Sequence, residues 1–178
     1  IVRLAGGRAA AYHEGTLALS RAVPARNPAA GTHARFDEMA SLVADALRGL
    51  GVDARVGEVA GEYCPGEYSV NARGRTKLVG IGQRILAGGA HLGVVIVVRD
   101  SALLRRALIP VYEALGLDWD PATAGSVEDE LGGVELAGVE DAILGRLRAG
   151  GYELVEGALD PDTLALAERL QRDHDPGR

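Results

Sequence analysis

Two apolar runs separated by a pair of glycines constrain the fold of this chain more than any other stretch. The runs extend from Lys77 to Leu86 and from His91 to Val98, and Gly88 and Gly89 lie between them. Runs of this length, rich in valine, leucine and isoleucine and joined by a glycine turn, predict a β-hairpin. The hairpin places a lysine at the start of an apolar strand, where strand patterning does not require one.

Helical periodicity predicts most of the remaining structure. From His33 to Leu50 apolar residues recur at intervals of three and four, with Thr32 as the expected N-cap and Gly51 as the end. We also predict helices at 101–115 (interrupted by Pro110), at 139–149 and at 161–174, the last capped by Asp160. A short strand is expected before the Gly6-Gly7 turn, at about 1–5, and the end of "AAAYHEGTLALS" alternates like a strand. Further short strands are expected at 52–60 and 152–155, and residues 22–31 are expected to form a loop. One sheet with helices packed on it is the economical architecture.

Size and charge limit the class of protein. The 178 residues are expected to form a single domain, 1–178, and the opening at Ile1 suggests that an N-terminal part is missing. The net charge of −6 gives no reason to expect a nucleic-acid surface, and no apolar run has the length of a membrane span. The lone cysteine, Cys64, excludes an internal disulfide and suits a cytoplasmic protein.

Three short segments could hold a ligand, although each has a commoner explanation. In "RLAGGRAAAYHEG", which begins at Arg3, adjacent glycines would let main-chain N–H groups approach a ligand, but a plain glycine turn is the more frequent case. Lys77, with Gly80 and Gly82 behind it, would by general burial habits be a surface charge. His91 would ordinarily be solvated, and Cys64 would be a small buried hydrophobe. No metal-ligand spacing is present.

The order of these segments is nevertheless specific. "RLAGGRAAAYHEG", the helix ending in "LRGLGVDARV", then "YSVNARGRTKLVGIGQR" and "AHLGVVIVV" together resemble the lipoate–protein ligase A-like family, within the biotin/lipoate protein ligase and octanoyltransferase superfamily. The resemblance covers Arg3 to about Val98 well and the remainder loosely. It implies an α+β fold with a mixed, largely antiparallel sheet flanked by helices, of the biotin/lipoate ligase catalytic-domain type.

The resemblance also implies roles for individual residues. Lys77 matches the central catalytic lysine, which in this family contacts the activated acyl carbonyl and, in ligases, the nucleotide phosphate. The residues that match acyl- or nucleotide-binding positions are Arg3, Gly6, Gly7, Arg8, His13, Asn71, Gly80, Gly82, Gln83, His91 and Gly93. A positioned ammonium would stabilise the oxyanion that forms when an amine attacks an acyl group. The implied reaction is transfer of a lipoyl or octanoyl group to a lysine of a lipoyl carrier domain.

Two departures from the family pattern leave the chemical route open. Asn71 is followed by Ala72, where ligases often carry an Asn-Asp pair that serves ATP and Mg²⁺, and Cys64 lies near the position where some octanoyltransferases have a nucleophile. We rank a ligase-like route through an acyl-adenylate first, with ATP and Mg²⁺ as cofactors. Octanoyl transfer from acyl carrier protein is second, and a non-catalytic acyl- or nucleotide-binding relative is third. The expected partners are the lipoyl domains of 2-oxoacid dehydrogenases or glycine cleavage proteins, with lipoate or octanoate as the acyl substrate.

Overall fold

Five antiparallel strands form one sheet in the computed structural model, which describes residues 5–174. The strand order is β1-β5-β4-β3-β2. The strands are β1 (Thr16–Pro24), β2 (Ala54–Val56), β3 (Val70–Ala72), β4 (Thr76–Leu86) and β5 (Gly89–Val97). The α-helices are α1 (Thr32–Gly49), α2 (Ser101–Ala114), α3 (Val127–Leu131), α4 (Leu136–Ala149) and α5 (Pro161–Gln171), and short 3₁₀ turns span Pro28–Gly31, Pro121–Thr123 and Arg172–His174. The predicted α+β fold with helices flanking a sheet is confirmed.

The predicted hairpin forms the centre of the sheet. β4 and β5 pair from Val79↔Ile96 to Leu86↔Gly89, so that Ala87 and Gly88 make a two-residue loop. Gly88 has a φ of 82°, which glycine adopts without strain and which a tight hairpin turn requires. The other side of β5 pairs with β1 along its whole length, from Thr16↔Val97 to Pro24↔Gly89. This pairing extends β1 into the region predicted as a loop from residue 22.

The two faces of the hairpin have different neighbours. Leu92, Val94 and Ile96 alternate along β5 and are buried in the main hydrophobic core, which α1 and α4 complete. On the opposite face, residues 91, 93 and 95 are only partly buried and line a cavity. The sheet therefore separates the packed core from the open site.

A β-bulge decides on which side of the sheet Lys77 lies. Val70 pairs with Val79 and Asn71 pairs with Lys77, so Leu78 is an extra residue in β4. Leu78 and Val79 are consequently both buried in the core. Strict alternation from Gly80 and Gly82 would place Lys77 on the core face, but the bulge brings it to the cavity face instead.

Several predicted helix boundaries are wrong by small amounts. The N-cap of α1 is Gly31 rather than Thr32, whose hydroxyl instead donates to the carbonyl of Ala29. Helix α2 continues through Pro110, which lies on its outer side, and α4 begins three residues earlier than predicted. The short helix α3 was not predicted. The Asp160 cap is confirmed, because its carboxylate accepts a hydrogen bond from the Thr163 N–H.

Two predicted strands are also corrected. The strand expected at 52–60 is limited to Ala54–Val56, because only these residues have a pairing partner in β3. Residues 152–155 form no strand and are exposed, and Tyr152 contacts the edge strand β1 only through a side chain, its hydroxyl accepting from Arg21 Nη2 at 2.7 Å. The short strand expected at 1–5 falls mostly outside the described residues, and residues 5–8 make bends. None of the helices within residues 5–174 combines the length and the apolar character that crossing a membrane requires.

Candidate functional site

A cavity of about 690 Å³ lies between the open face of the sheet and two irregular segments, residues 5–12 and 63–69. Its size is typical of sites for small organic ligands. Nine of the residues singled out from the sequence line this cavity: Gly6, Gly7, Cys64, Lys77, Gly80, Gly82, Gln83, His91 and Gly93. Segments far apart in sequence thus meet at one place.

The floor of the cavity is mostly main chain. Gly82 pairs directly with Gly93 across the two central strands, and Gly80 follows one step along the same face. Ala18 and Ser20 of the neighbouring strand β1 also line the cavity. A Cβ atom added at Gly93 would come no closer than 3.9 Å to the His91 ring, and one added at Gly80 no closer than 3.7 Å to the Lys77 side chain, so these two glycines leave open space. An apolar chain could lie flat on this surface.

Lys77 is buried at one end of the floor. Its side chain is 2% exposed, and its Nζ donates to Glu62 Oε1 at 2.9 Å, to the Tyr63 carbonyl at 3.1 Å and to the Cys64 carbonyl at 2.7 Å. An ammonium has three N–H groups, so all its donors are in use. Lysine side chains are usually exposed, but that expectation is wrong for Lys77, because a buried carboxylate compensates its charge.

That carboxylate belongs to Glu62, which the sequence analysis missed. Glu62 Oε1 also accepts from the Ser69 hydroxyl at 2.6 Å and the Gly66 N–H at 3.1 Å, and Oε2 accepts from the Val59 N–H at 3.0 Å. Nothing in the local pattern marks Glu62 as buried, since the residues around it show neither helical nor strand periodicity. A pairing between an irregular segment and a strand has no periodic signature.

Cys64 has an unusual main-chain conformation at the edge of the cavity. Its φ of 43° is in the left-handed region, which non-glycine residues seldom adopt. Its N–H donates to the Tyr112 hydroxyl at 2.7 Å, and its Sγ accepts from the main-chain N–H of Arg8 at 3.0 Å. The Tyr112 hydroxyl donates in turn to the carbonyl of Ala9 at 3.0 Å. The residue is therefore fixed from both sides, a pattern often found at functional positions.

Aromatic residues that were not singled out complete the walls. Phe36 and Tyr68 stack with ring centroids 5.0 Å apart, and both line the cavity. The ring of Tyr63 lies 5.0 Å from Lys77 Nζ, within range of a cation–π contact. Burial, together with the charge of Glu62, raises the pKa of Tyr63 well above its ordinary value, so this phenol stays neutral. Phe36, Tyr63 and Tyr68 lie in a helix or in an irregular segment, and nothing in the sequence pattern marks them as residues of a site.

Gln83 connects the cavity to the start of helix α1. Its Oε1 accepts from Arg35 Nε, and its Nε2 donates to the Thr32 carbonyl at 3.2 Å. Both ends of the amide are thus used within the protein. Gln83 holds β4 and α1 together where they border the cavity.

Of the remaining predicted residues, Arg8, His13 and Asn71 are described, and none of the three is among the residues that line the cavity. His13 Nδ1 accepts from the Gly15 N–H at 3.0 Å within a local turn. Asn71 donates to the Gly57 carbonyl at 2.9 Å and accepts from the Gly74 N–H at 2.8 Å. Arg8 contributes its main-chain N–H to Cys64, and Arg3 lies outside the described residues. Ligand-binding roles for Arg3, Arg8, His13 and Asn71 stay predictions.

The described residues show no clear binding site for a nucleotide together with its metal ion. Among the side chains that the structure describes, those of residues 5–172 and 174, no three His, Cys, Asp or Glu groups converge as metal ligands would. Asn71, the residue that the family pattern connects with ATP and Mg²⁺, has its amide engaged by main-chain groups. Asn71 is not among the residues that line the cavity.

The fold and this cavity define the catalytic domain of an enzyme of the lipoate ligase and octanoyltransferase type. Residues 1–147 match the family described as the lipoyl protein ligase A/B catalytic domain, and the chain belongs to that family. The resemblance recognised from the ordered motifs is thereby confirmed.

Individual relatives agree with this assignment. The octanoyl-[GcvH]:protein N-octanoyltransferase of Geobacillus kaustophilus is 32% identical over 116 residues, which are 65% of this chain and 41% of that protein. A T. acidophilum protein solved with bound lipoic acid has a TM-score of 0.74 at 21% identity, over 96% of this chain and 66% of the other. A lipoate-protein ligase A bound with ATP also gives 0.74, at 20% identity, over 94% and 65%. The chain spans about half the length of the curated relatives it matches.

The glycine loop offers a test of ligand contact. Gly7 has a φ of 102°, so any substitution there would strain the main chain, whereas a Cβ at Gly6 meets no atom within 4 Å. We therefore expect Gly6→Val to keep the melting temperature while lowering the affinity for octanoate by about tenfold or more, because the new side chain intrudes on the cavity. Isothermal titration measures the affinity.

Gly138→Val, at another open position away from the cavity, is the control for the added side chain. Unchanged affinity in Gly6→Val would contradict ligand contact at this loop. A parallel loss of affinity and melting temperature would mean that Gly6 serves only the turn.

Proposed function

We propose that this chain transfers an acyl group, octanoyl or lipoyl, to a lysine of a lipoyl carrier domain. The observation that carries the proposal is the cavity with a glycine floor, at one end of which Lys77 and Cys64 lie together. The floor suits an aliphatic chain, and the buried polar end suits the reacting carbonyl.

The substrates follow from the cavity and from the relatives. An octanoyl or lipoyl chain would lie along Gly80, Gly82 and Gly93, with its carbonyl towards Cys64. The matched relatives are named for moving octanoyl from GcvH to a protein, which supports a lipoyl carrier of the glycine cleavage type as donor or acceptor. The lipoyl domains of 2-oxoacid dehydrogenases are further acceptors, and acyl carrier protein is a donor to be compared. A cytoplasmic location would bring the enzyme together with these carriers.

A thioester route fits the described residues best. The Cys64 thiolate attacks the acyl carbonyl of the donor, and the bond from that carbonyl to the donor's nitrogen or sulfur breaks. The donor leaves as an amine or thiol after taking up a proton. The amine of the acceptor lysine then attacks the Cys64 thioester, losing a proton as the amide forms and the thiolate is released. The Arg8 N–H, which lies 3.0 Å from Sγ, can hydrogen-bond the sulfur in both steps.

The adenylate route, ranked first from sequence, has less support from the site. It needs residues for ATP and Mg²⁺, and Asn71 is not at the cavity. The likeness to the ATP-bound ligase is at 20% identity and speaks for the fold. We therefore place the thioester route ahead of the adenylate route for this chain.

The deciding assay measures octanoyl transfer to a purified lipoyl domain by intact mass. The donors are octanoylated GcvH, octanoyl-acyl carrier protein, and octanoate with ATP and Mg²⁺. We expect transfer from an acylated carrier without ATP. Transfer only with octanoate and ATP would restore the adenylate route, and no transfer with any donor would overturn the proposed function in favour of a binding relative.

A further inference from the structure

One carboxylate organises the segment that presents Cys64. Residues 57–69 form no helix or strand, and this irregular segment crosses the end of the cavity. Glu62, buried within it, accepts four hydrogen bonds, from the N–H groups of Val59 and Gly66, the hydroxyl of Ser69 and the ammonium of Lys77. The carboxylate therefore gathers both ends of the segment around the cysteine.

Lys77 transmits this arrangement to Cys64. Its Nζ is held by Glu62 on one side and donates to the Tyr63 and Cys64 carbonyls on the other. With three acceptors for three N–H groups, the lysine has no donor left for a substrate unless one of these bonds is given up. The carbonyl of Cys64 is thus fixed to β4 through a buried ion pair.

Cys64 needs such a fixation because of its main-chain conformation. A φ of 43° is unfavourable for a residue with a Cβ and persists only where surrounding contacts impose it. The contacts here are the Tyr112 hydroxyl on the N–H of Cys64 and Lys77 on its carbonyl. Without Glu62, no ion pair would hold Lys77 Nζ in position to donate to the Cys64 carbonyl.

We infer that Glu62 is a positioning residue for the Cys64 nucleophile, acting through Lys77 and the 57–69 segment. This inference rests on the proposed function, in which Cys64 carries the acyl group. Glu62 need not touch the substrate. Its effect on Cys64 is to fix the main chain that carries the thiol side chain.

The test is Glu62→Gln, which keeps the shape of the side chain and removes its charge. We expect kcat for octanoyl transfer to fall by about a hundredfold with little change in KM, because misplacing a reacting group by about 1 Å costs that much. We also expect iodoacetamide to alkylate Cys64 several times faster, since a loosened segment exposes the sulfur. Cys64 is the single cysteine of the chain, so intact mass reports on it alone.

Val43→Ala is the matched control, because it removes methyl groups from the core in α1, away from the segment. At a temperature where both variants are folded, Val43→Ala should keep the parent's kcat and alkylation rate. If Glu62→Gln behaves like Val43→Ala in both readouts, Glu62 is only structural and the inference is overturned.

Two further results keep the outcomes distinct. If Glu62→Gln does not fold, Ser69→Ala removes one hydrogen bond from the same carboxylate, and it should show the same two changes to a smaller degree. Parent-like behaviour of Ser69→Ala would then overturn the inference. A parent protein that transfers no acyl group overturns the proposed function instead, whereas the alkylation rates still report whether Glu62 shapes the segment.

Discussion

Lys77→Ala is expected to lower the rate of octanoyl transfer by about two to three orders of magnitude and to destabilise the protein as well. The loss of rate corresponds to removing one fixed cation from a reacting centre. The loss of stability follows from burial, because Glu62 is left as an unpaired buried carboxylate. Breaking a buried ion pair in this way costs about 3–5 kcal/mol of unfolding free energy. Lys77→Arg should not rescue the rate, since a planar guanidinium does not match three converging acceptors.

A double variant tests how much of the stability loss comes from the carboxylate left unpaired. Combining Lys77→Met with Glu62→Gln removes both charges, so that neither is left buried without a partner. We expect a melting temperature above that of Lys77→Ala, measured by calorimetry, with transfer still reduced. Transfer at the parent's rate in Lys77→Ala would refute the role of this lysine. Recovery of transfer in the double variant would show that both Lys77 and Glu62 act only through folding.

Cys64→Ala is expected to abolish transfer from an acylated carrier, by on the order of 10³-fold or more, as removal of a nucleophile does in enzymes with covalent intermediates. The physical reason is that the acceptor amine would then have to attack the donor directly. In the parent protein, acid quenching during turnover should trap one octanoyl group on Cys64, visible by intact mass. The variant should carry none.

The control for Cys64→Ala is its fold. The melting temperature should stay near that of the parent, because the bonds from Tyr112 and Lys77 are made to the main chain of Cys64 and survive the substitution. Full transfer by Cys64→Ala in the presence of ATP and octanoate would count against the thioester route. It would favour the adenylate instead.

The parts of the fold and of the candidate site that can be predicted from the sequence are those with a local pattern. The β4–β5 hairpin was predicted within two residues at each end because its alternation and its turn are both written in one stretch. Gly80, Gly82 and Gly93 were identified through the family motif, and they do line one cavity. What could not be predicted was the pairing of Lys77 with Glu62, which are separated by 15 positions and joined through an irregular segment. The bulge at Leu78 that makes this pairing accessible has no signature in the sequence.

Tertiary contacts also limit what a pattern can predict at Asn71 and at the strand expected over 52–60. Asn71 lies in the right motif, but its side chain is used to hold the turn before β4. The apolar pattern from Val52 onwards is real, yet only residues that find a partner strand become β structure, and that partner, β3, is three residues long. Sequence motifs identify the segments that form the site, whereas tertiary contacts determine what each side chain does there.

The separation of the two faces of the hairpin has a consequence for how this protein can diversify. On β4 and β5 the residues that hold the sheet to α1 and α4 alternate with the glycines that floor the cavity. A side chain added at Gly93 would therefore fill part of the groove without touching the side chains that keep the domain folded, because its Cβ would come no closer than 3.9 Å to the His91 ring. Under the proposed function, the preference for a shorter or longer acyl group can thus change by a single substitution at a position where selection for folding is weak. The same architecture could serve carriers loaded with different acids, with the ion pair at its end unchanged.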